Sequence, residues 1–498
     1  MQKKLYQIAV WGLGIFSGGC NLDLAPENVM VNENVYKNET TAEAALFGAY
    51  VRLNSFFAGA QNDQNNYANS GYVCLMGDVG TGNLKAQSTA NSFLDVETAE
   101  YTQDDHEGFI RSMWTGGYNA IDYANNVIAG VTKYGKYNPD KMAQHIAEAK
   151  FLRGYENLLL LQLFGDQALM GNMDGLGLVI RTTPYDGYNP DNIESRTTVG
   201  ETYEWIIRDL TEAIQDLPDG IVAVTERYRA TKSVARALLS RVYLYRGTYN
   251  NVTADLQMAA NLADMVLKNP NYVFDDSPEA YLNGLFPLNV ADAAGAYPNP
   301  VLNNSEVLFY QPSGNSVENY PHGLTAYFNK RSFHIDDTSF YEENDLRGAG
   351  SLIGAGASSE YLTLKTSLKY SSSGGYNDVM YLRLSEVKLT YAEAITRISN
   401  NVDAEAVQHL NDIRLRPFTA ENKPEAYTVA SFGNAEELLE AILLERRREL
   451  AYEGHYRWDL IRTGKKLRNE LPDNKKNFPV PQYEITISGG AIRQNTGF

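Results

Sequence analysis

The chain has 498 residues, 44% apolar and 11% aromatic, enough for a large core and more than one structural lobe. Acidic residues outnumber basic ones 61 to 43, for a formal net charge of -18 and a pI near 4.9. Such a surface repels phosphate backbones and anionic lipid, which argues against nucleic acid as a partner, while 34 tyrosines suit neutral, hydroxyl-rich ligands better.

The N-terminus reads as an export signal over residues 1–19. Lys3 and Lys4 precede the apolar run "IAVWGLGIF" and the small residues of "SGGC". Small residues directly before Cys20 resemble the lipobox of bacterial lipoproteins, in which that cysteine becomes the acylated first residue. Ser17 departs from the motif, which prefers Leu three positions before the cysteine. Acylation of Cys20 leaves Cys74 as the other cysteine, so no intrachain disulfide is expected. The mature chain then runs over 20–498.

Residues 54–118 are rich in Gly, Asn, Ser and aromatics, with few helical runs. Within them "MGDVGTGN" (Met76 to Asn83) is a Gly-rich turn without the Lys of a phosphate loop. "TQDDHEG", with Asp104, Asp105 and Glu107, is the best acidic cluster; it reads as a solvated loop, or else as a Ca²⁺ site or carboxylate pair.

Helical periodicity then dominates. In "NPDKMAQHIAEAKFLRGYENLLLLQLFGD", Leu152, Tyr155, Leu159 and Leu163 fall in register, with Asn138 as cap and Pro139 in the first turn. "TVGETYEWIIRDLTEAIQDLP" puts Tyr203, Ile206, Ile207, Leu210, Ile214 and Leu217 on one face. Thr198 and Glu201 form a capping box there, and Pro218 stops the helix. "TKSVARALLSRVYLYRG" and "LQMAANLADMVLKNP" make a pair across "TYNNVTA", the second aligning Leu256, Ala259, Ala260, Ala263 and Leu267. Residues 271–380 return to irregular composition, with short strands predicted at "NSEVLFYQ" and "EYLTLKTSLKYS". "LRLSEVKLTYAEAITRI", "DAEAVQHLNDIRLR" and "NAEELLEAILLERRRELAYEG" are three more amphipathic helices, the last capped by Asn434 with Glu437. The predicted fold is predominantly α: a tetratricopeptide-like scaffold of helix pairs over about 108–270 and 380–465, plus a loop-rich lobe from 54–107 and 271–380 with a few short strands.

"LLERRRELAYEGHYRWDLIRTGKK" (Leu443 to Lys466) is rich in Arg and Lys but interleaves acids: Glu445, Glu449, Glu453 and Asp459. Glu453 with Arg457, and Asp459 with Arg462, have helical pairing distances. Leu439, Leu443, Leu450, Trp458 and Leu460 supply apolar faces. This reads as a partly buried ionic network joining two helices rather than a ligand patch, with Arg447 and Trp458 structural.

Here a resemblance emerges. "LLERRRELAYEGHYRWDLIRTGK" resembles the C-terminal hallmark of the SusD/RagB family of Bacteroidetes outer-membrane lipoproteins. "WTGGYNAIDYANNVI", "AEAKFLRGYENLLLLQLFGD", "RATKSVARALLSRVYLYRG", "YLRLSEVKLTYAEAI" and the closing "NFPVPQYEI…RQNTGF" are similar to family blocks in the same order. The resemblance implies a lipid-anchored protein on the outer face of the outer membrane, a binder and not an enzyme. It implies capture of oligosaccharide, or in some members peptide, and delivery to a TonB-dependent SusC-like transporter. The tetratricopeptide side would face the transporter and the irregular lobe the ligand.

No catalytic signature stands against that reading. The six histidines (106, 145, 322, 334, 409 and 455) are dispersed without metal-ligand spacing, and no nucleophile elbow or His-Glu-x-x-His occurs. No metal or cofactor is expected; a secreted hydrolase using Asp104, Asp105 and Glu107 is the alternative of another class. Sugar binding needs flat aromatic faces beside hydrogen-bonding groups. Trp11 lies in the signal, and Trp114, Trp205 and Trp458 lie in helical blocks, so the platform falls to Tyr67, Tyr72, Tyr297 and Tyr320. Asn66, Asn69 and Asn319 are the adjacent polar groups. The scarcity of free Trp keeps a peptide ligand open.

Overall fold

The computed structural model describes residues 32–53, 75–86, 91–101, 110–187, 193–221, 226–286, 304–311, 333–335, 337–348, 353–355, 365–367 and 379–498, with single positions 189, 223 and 369 between them. The described residues are predominantly helical: α1 (Asn32–Tyr36), α2 (Glu39–Leu53), α3 (Asn91–Thr98), α4 (Arg111–Tyr134), α5 (Pro139–Phe164), α6 (Val199–Asp216), α7 (Lys232–Thr248), α8 (Thr253–Leu267), α9 (Leu384–Ser399), α10 (Ala404–Leu415), α11 (Ala435–Leu450), α12 (Tyr456–Arg462) and α13 (Gln482–Ile487). Short strands β1 (Lys85–Ala86), β2 (Val307–Gln311), β3 (Phe333–His334), β4 (Ile353–Ala355), β5 (Lys365–Ser367) and β6 (Val379–Arg383) form three two-stranded antiparallel ribbons, β1–β3, β2–β6 and β4–β5. No described helix is long and apolar enough to cross a membrane.

The helix ends follow the cap chemistry in the sequence. The Asn138 side chain accepts from the Asp140 and Lys141 amides, and Pro139 fills the first turn of α5. Thr198 and Glu201 close a reciprocal capping box on α6. Asn434 caps α11 by accepting from the Glu437 amide, while Glu437 returns to the Gly433 amide. Each cap satisfies backbone donors that the helix itself leaves unpaired.

Consecutive helices pack as neighbours from α4 through α9. Between α4 and α5 the approach is close because Gly117 has no side chain; a Cβ there would sit 2.8 Å from Leu160 Cδ2. In α8 the small residues Ala259, Ala260 and Ala263 are buried, and the Ser240 hydroxyl of α7 donates to the Ala259 carbonyl at 2.7 Å. The register read for α5 holds, with Leu152, Tyr155, Leu159 and Leu163 all buried. Its C-terminal half, however, is buried on every side, because the β2–β6 ribbon covers the face that α4 and α6 leave open. Phe309 of β2 meets Phe151 edge-on at 5.4 Å between centroids, and Tyr381 of β6 meets Tyr155 at 5.4 Å. A separate apolar cluster joins α9, α10 and α11 through Leu389, Val407, Leu410, Leu438 and Ile442.

Three expectations need correction. The stretch 54–118, read as poor in helix, contains α3 and the first turns of α4. The segment "VMYLR", whose end was read as the start of a helix, is strand β6; all five residues are buried, so it shows no alternation. Glu453 does not pair with Arg457. α11 ends at Leu450 and α12 begins at Tyr456, so the two lie on different elements. The strand read at "NSEVLFYQ" is β2, and "EYLTLKTSLKYS" contains the short β5.

Candidate functional site

The charged C-terminal motif is a buried network. Glu449 on α11 lies among three guanidinium groups, with Arg383 and Arg416 each 2.5 Å from one carboxylate oxygen and Arg347 3.0 Å from the other. Arg383 also reaches Glu306 at 2.9 Å and Glu453 at 2.8 Å, and Glu453 accepts from Lys369 at 2.8 Å. Burial alone would push the Glu449 carboxyl up; the charges of Arg416, Arg383 and Arg347 outweigh it and hold the group well below the usual carboxylate range. A second knot ties α12 to the scaffold: Arg462 pairs with Asp459 at 2.6 Å and with Glu393 of α9 at 2.6 Å, and Arg446 reaches Asp459 at 3.2 Å. The Asp459–Arg462 pair read from spacing is therefore present. Arg457 instead donates to the carbonyls of Lys476 at 2.9 Å and Val79 at 3.4 Å. Its neighbour Trp458 is buried. The carboxylates and guanidiniums of these two knots are paired largely with one another, so the buried part of the motif joins elements of the fold. Its outer face, with Leu443, Leu444, Arg447 and Tyr456, lines a cavity of about 330 Å³.

The same motif forms a floor for the loop-rich stretches. Arg447 stacks on Phe340, with its guanidinium carbon 3.8 Å from the ring centroid, and donates to the Asn83 side chain at 2.9 Å. Gly77 packs backbone to backbone on Gly454; a Cβ at Gly77 would lie 2.1 Å from the Gly454 carbonyl carbon, so no other residue fits. Buried Asp78 accepts from the Gly454 amide at 3.0 Å and from Asn83 at 2.6 Å, which explains the Gly-rich "MGDVGTGN" segment as a docking turn. The β1–β3 ribbon aligns Lys85 with His334 and so joins the two irregular stretches in their interior. Tyr67, Tyr72, Tyr297, Tyr320, Asn66, Asn69 and Asn319 lie outside the described residues, as do Cys20, Asp104, Asp105 and Glu107.

Among the described residues, a cleft of about 440 Å³ opens on α4, between residues 179–187, with Asn189 and Ile193, and α13. Trp114 and Tyr118 form its inner wall, their rings 5.0 Å apart and inclined by 48°. Tyr118 is pinned by its own hydroxyl, which donates to the Val179 carbonyl at 3.1 Å and accepts from the Val179 amide at 3.0 Å. Burial pushes that phenol above its ordinary range. Asn125, about two turns further along α4, donates to the carbonyls of Arg181 and Thr183, both at 3.1 Å, and accepts from Arg153 at 2.7 Å. Asp122 accepts from the Tyr185 amide at 2.7 Å. The outer wall is thus fastened to α4 by three side chains, and its base is fixed by Arg196. That buried guanidinium donates to the carbonyls of Gly177, Phe164, Leu176 and Arg493 and to the Asn495 side chain. The C-terminal "RQNTGF" sequence therefore locks this excursion in place. Tyr185, 65% exposed, stands at the rim.

Sequence reasoning passed over this cleft. Its signal was "RTTPYDGYNPDN", a stretch with the Pro, Gly, Asn and Tyr content that marked the other loops, but enclosed between two strong helices. Trp114 was assigned to a helical block, and it is indeed only 3% exposed, though it lines the cleft.

Comparison with known proteins adds independent findings. A family model described as "Starch-binding associating with outer membrane" matches residues 33–244, and one described as "SusD family" matches residues 347–496. A SusD-like protein of Formosa agariphila is 26% identical over 99% of this chain and 100% of its own length. One of Bacteroides ovatus is 25% identical over 100% of this chain and 88% of its own. Among solved structures, a SusD superfamily protein of Bacteroides thetaiotaomicron superposes with a TM-score of 0.72 at 23% identity, covering 92% of this chain and 99% of that one. A structure described as a laminarin-binding SusD-like protein superposes with a TM-score of 0.66 at 21% identity, covering 93% and 100%. At these identities the superpositions speak to the fold alone. The family models cover the two ends of the scaffold, and the relatives align along nearly its whole length. This chain belongs to the SusD family.

Proposed function

We propose that the protein is a cell-surface lipoprotein, acylated at Cys20, that binds oligosaccharide and delivers it to a TonB-dependent SusC-like transporter of the outer membrane without turning it over. The observation that carries this is the match of residues 33–244 to the starch-binding, outer-membrane-associated family. The laminarin-binding neighbour supports a glucan as the first class to test. The ligand surface is assigned to the irregular stretches 54–107 and 271–380, acting as one lobe, and the β1–β3 pairing supports their joint action. There Tyr67, Tyr72, Tyr297 and Tyr320 offer stacking faces, and Asn66, Asn69 and Asn319 offer groups for sugar hydroxyls.

The test is calorimetry with laminarin, soluble starch and an oligosaccharide array. Replacing the four tyrosines by Ala one at a time should weaken binding severalfold in at least one case, since a stacked ring contributes about 0.5–1.5 kcal/mol beyond its burial. The melting temperature should stay nearly constant. Four wild-type affinities would move the site elsewhere. Binding of peptides and of no glycan would overturn the carbohydrate reading, and turnover of the bound glycan would overturn the non-enzymatic one.

A further inference from the structure

We infer that the cleft on α4 is a second glycan-binding site, separate from the loop lobe and shaped for a short neutral oligosaccharide; the inference rests on the carbohydrate reading above. At about 440 Å³ the cleft falls within the range of small-molecule sites, roughly 300–1,000 Å³. Its lining has the two components that sugar recognition requires. Tyr185 presents a largely exposed ring at the rim, and the Trp114 and Tyr118 rings line the wall. Pyranose C–H faces pack against an exposed ring such as that of Tyr185. Asn119, exposed on α4, offers both a donor and an acceptor for hydroxyls, and Arg181 offers donors on the opposite side.

The charge balance disfavours anions. Arg181 already has Glu194 at 3.6 Å, and the carboxylates of Asp122 and Asp186 also line the cleft. The walls are also fixed in advance. Tyr118 is held at both sides of its hydroxyl, the 181–185 backbone is fastened to Asn125 and Asp122, and Arg196 anchors the whole excursion. A rigid wall loses little freedom when a ligand binds, which suits weak, multivalent ligands such as polysaccharides. Fold stability alone does not require a largely exposed tyrosine held over an open cleft. Chain length and avidity provide a rationale for two sites: a polymer gripped at two places dissociates more slowly than one gripped once.

The experiment uses the full chain with laminarin, soluble starch and an oligosaccharide array, by calorimetry and hydrogen exchange. In the variant lacking all four loop tyrosines (Tyr67→Ala, Tyr72→Ala, Tyr297→Ala, Tyr320→Ala), residual glycan binding should persist. Adding Tyr185→Ala or Asn119→Ala should weaken that residual binding by about 3- to 10-fold, whereas Tyr185→Phe should preserve it. Amides of residues 179–187 and 484–492 should gain protection on glycan addition. Both Tyr185 and Asn119 are exposed, so these variants are expected to fold, and an unchanged melting temperature checks this. If wild-type protein binds a glycan but the Tyr185→Ala, Asn119→Ala double variant binds it identically and the cleft amides gain no protection, the second site is refuted while the family function stands. Silence of the wild-type chain across every glycan would instead sink the carbohydrate reading, and this inference with it.

Discussion

Replacing Glu449 with Ala tests the core of the architecture. Its carboxylate contacts three buried arginines at once: Arg347 from the loop before β4, Arg383 at the end of β6 and Arg416 just after α10. Removing one partner of a buried ion pair costs about 3–5 kcal/mol, because the remaining charge is stranded in a medium that solvates it poorly. Here each arginine keeps another carboxylate: Asp345 and Glu445 for Arg347, Glu306 and Glu453 for Arg383, and Glu306 for Arg416. The loss should therefore fall toward the lower end, about 3 kcal/mol, and not scale with the number of bonds cut. Urea unfolding followed by far-ultraviolet circular dichroism measures it as a lowered midpoint. The pH dependence gives a second readout. Glu449 is held below its ordinary pKa, so its contribution is present above the unfolded value and is lost as pH falls through the depressed folded one. The gap between wild type and Glu449→Ala should thus narrow in strong acid. An unchanged urea midpoint at neutral pH would refute the structural role of the network. A variant of full stability that had lost glycan affinity would show that the motif belongs to the ligand site instead.

Other expectations follow from single groups. Glu156, in the fully buried part of α5, has both carboxylate oxygens without a partner among the described residues, and burial pushes its carboxyl well up. Native protein then holds that proton more tightly than unfolded protein, so this group erodes stability as pH rises from about 4.5; Glu156→Leu should be more stable than wild type by about 1–3 kcal/mol at neutral pH in urea titrations. Glu43 is lowered to about 2, first by its bond with His145, so its contribution is present above the unfolded pKa and fades as pH falls toward 2. Thermal melts of Glu43→Gln should lie below wild type at pH 7 and converge with it near pH 2. Cys20→Ala should release the protein from membranes and abolish incorporation of labelled palmitate, read by fractionation and autoradiography.

Features set by neighbouring residues were legible in the sequence. The caps at Asn138, Thr198 and Asn434 and the apolar registers of α5, α6 and α8 depend on contacts within four or five positions, and the structure repeats them. Features set by distant residues were not legible. Glu453 lies four positions from Arg457, yet its partners are Lys369 and Arg383, because the chain turns at Tyr452 and Gly454, both at positive φ, before α12 begins. β6 escaped for a different reason: a strand buried on both faces has no period to read, and its sequence merges with the helix that follows. For the ligand surface, composition indicated two stretches, but the aromatic cleft on α4 arises from a third.

That third stretch shows how a helical scaffold of this kind gains recognition surface. In the helix pair α7–α8 the connection is a short turn, and both helices spend their facing sides on each other. Between α5 and α6 the connection runs from Gly165 to Thr198, too long to serve only as a turn. A long loop left to itself would carry unsatisfied backbone groups and a large entropy cost. Here the cost is offset by polar side chains, most of them drawn from other elements. Asn125 and Asp122 from α4 and Arg196 from the loop itself satisfy its carbonyls and amides, and Asn495 from the C-terminal tail accepts from the Arg196 guanidinium. None of these four groups contributes a helix-forming or apolar signal, and each is buried or partly buried by the loop it holds. Their combined effect is to lay an irregular segment along α4 without filling the space between them. The cleft is therefore a consequence of how the excursion is fastened: hydrogen bonds tie it down along α4, and the Tyr185 ring at the rim is left facing solvent.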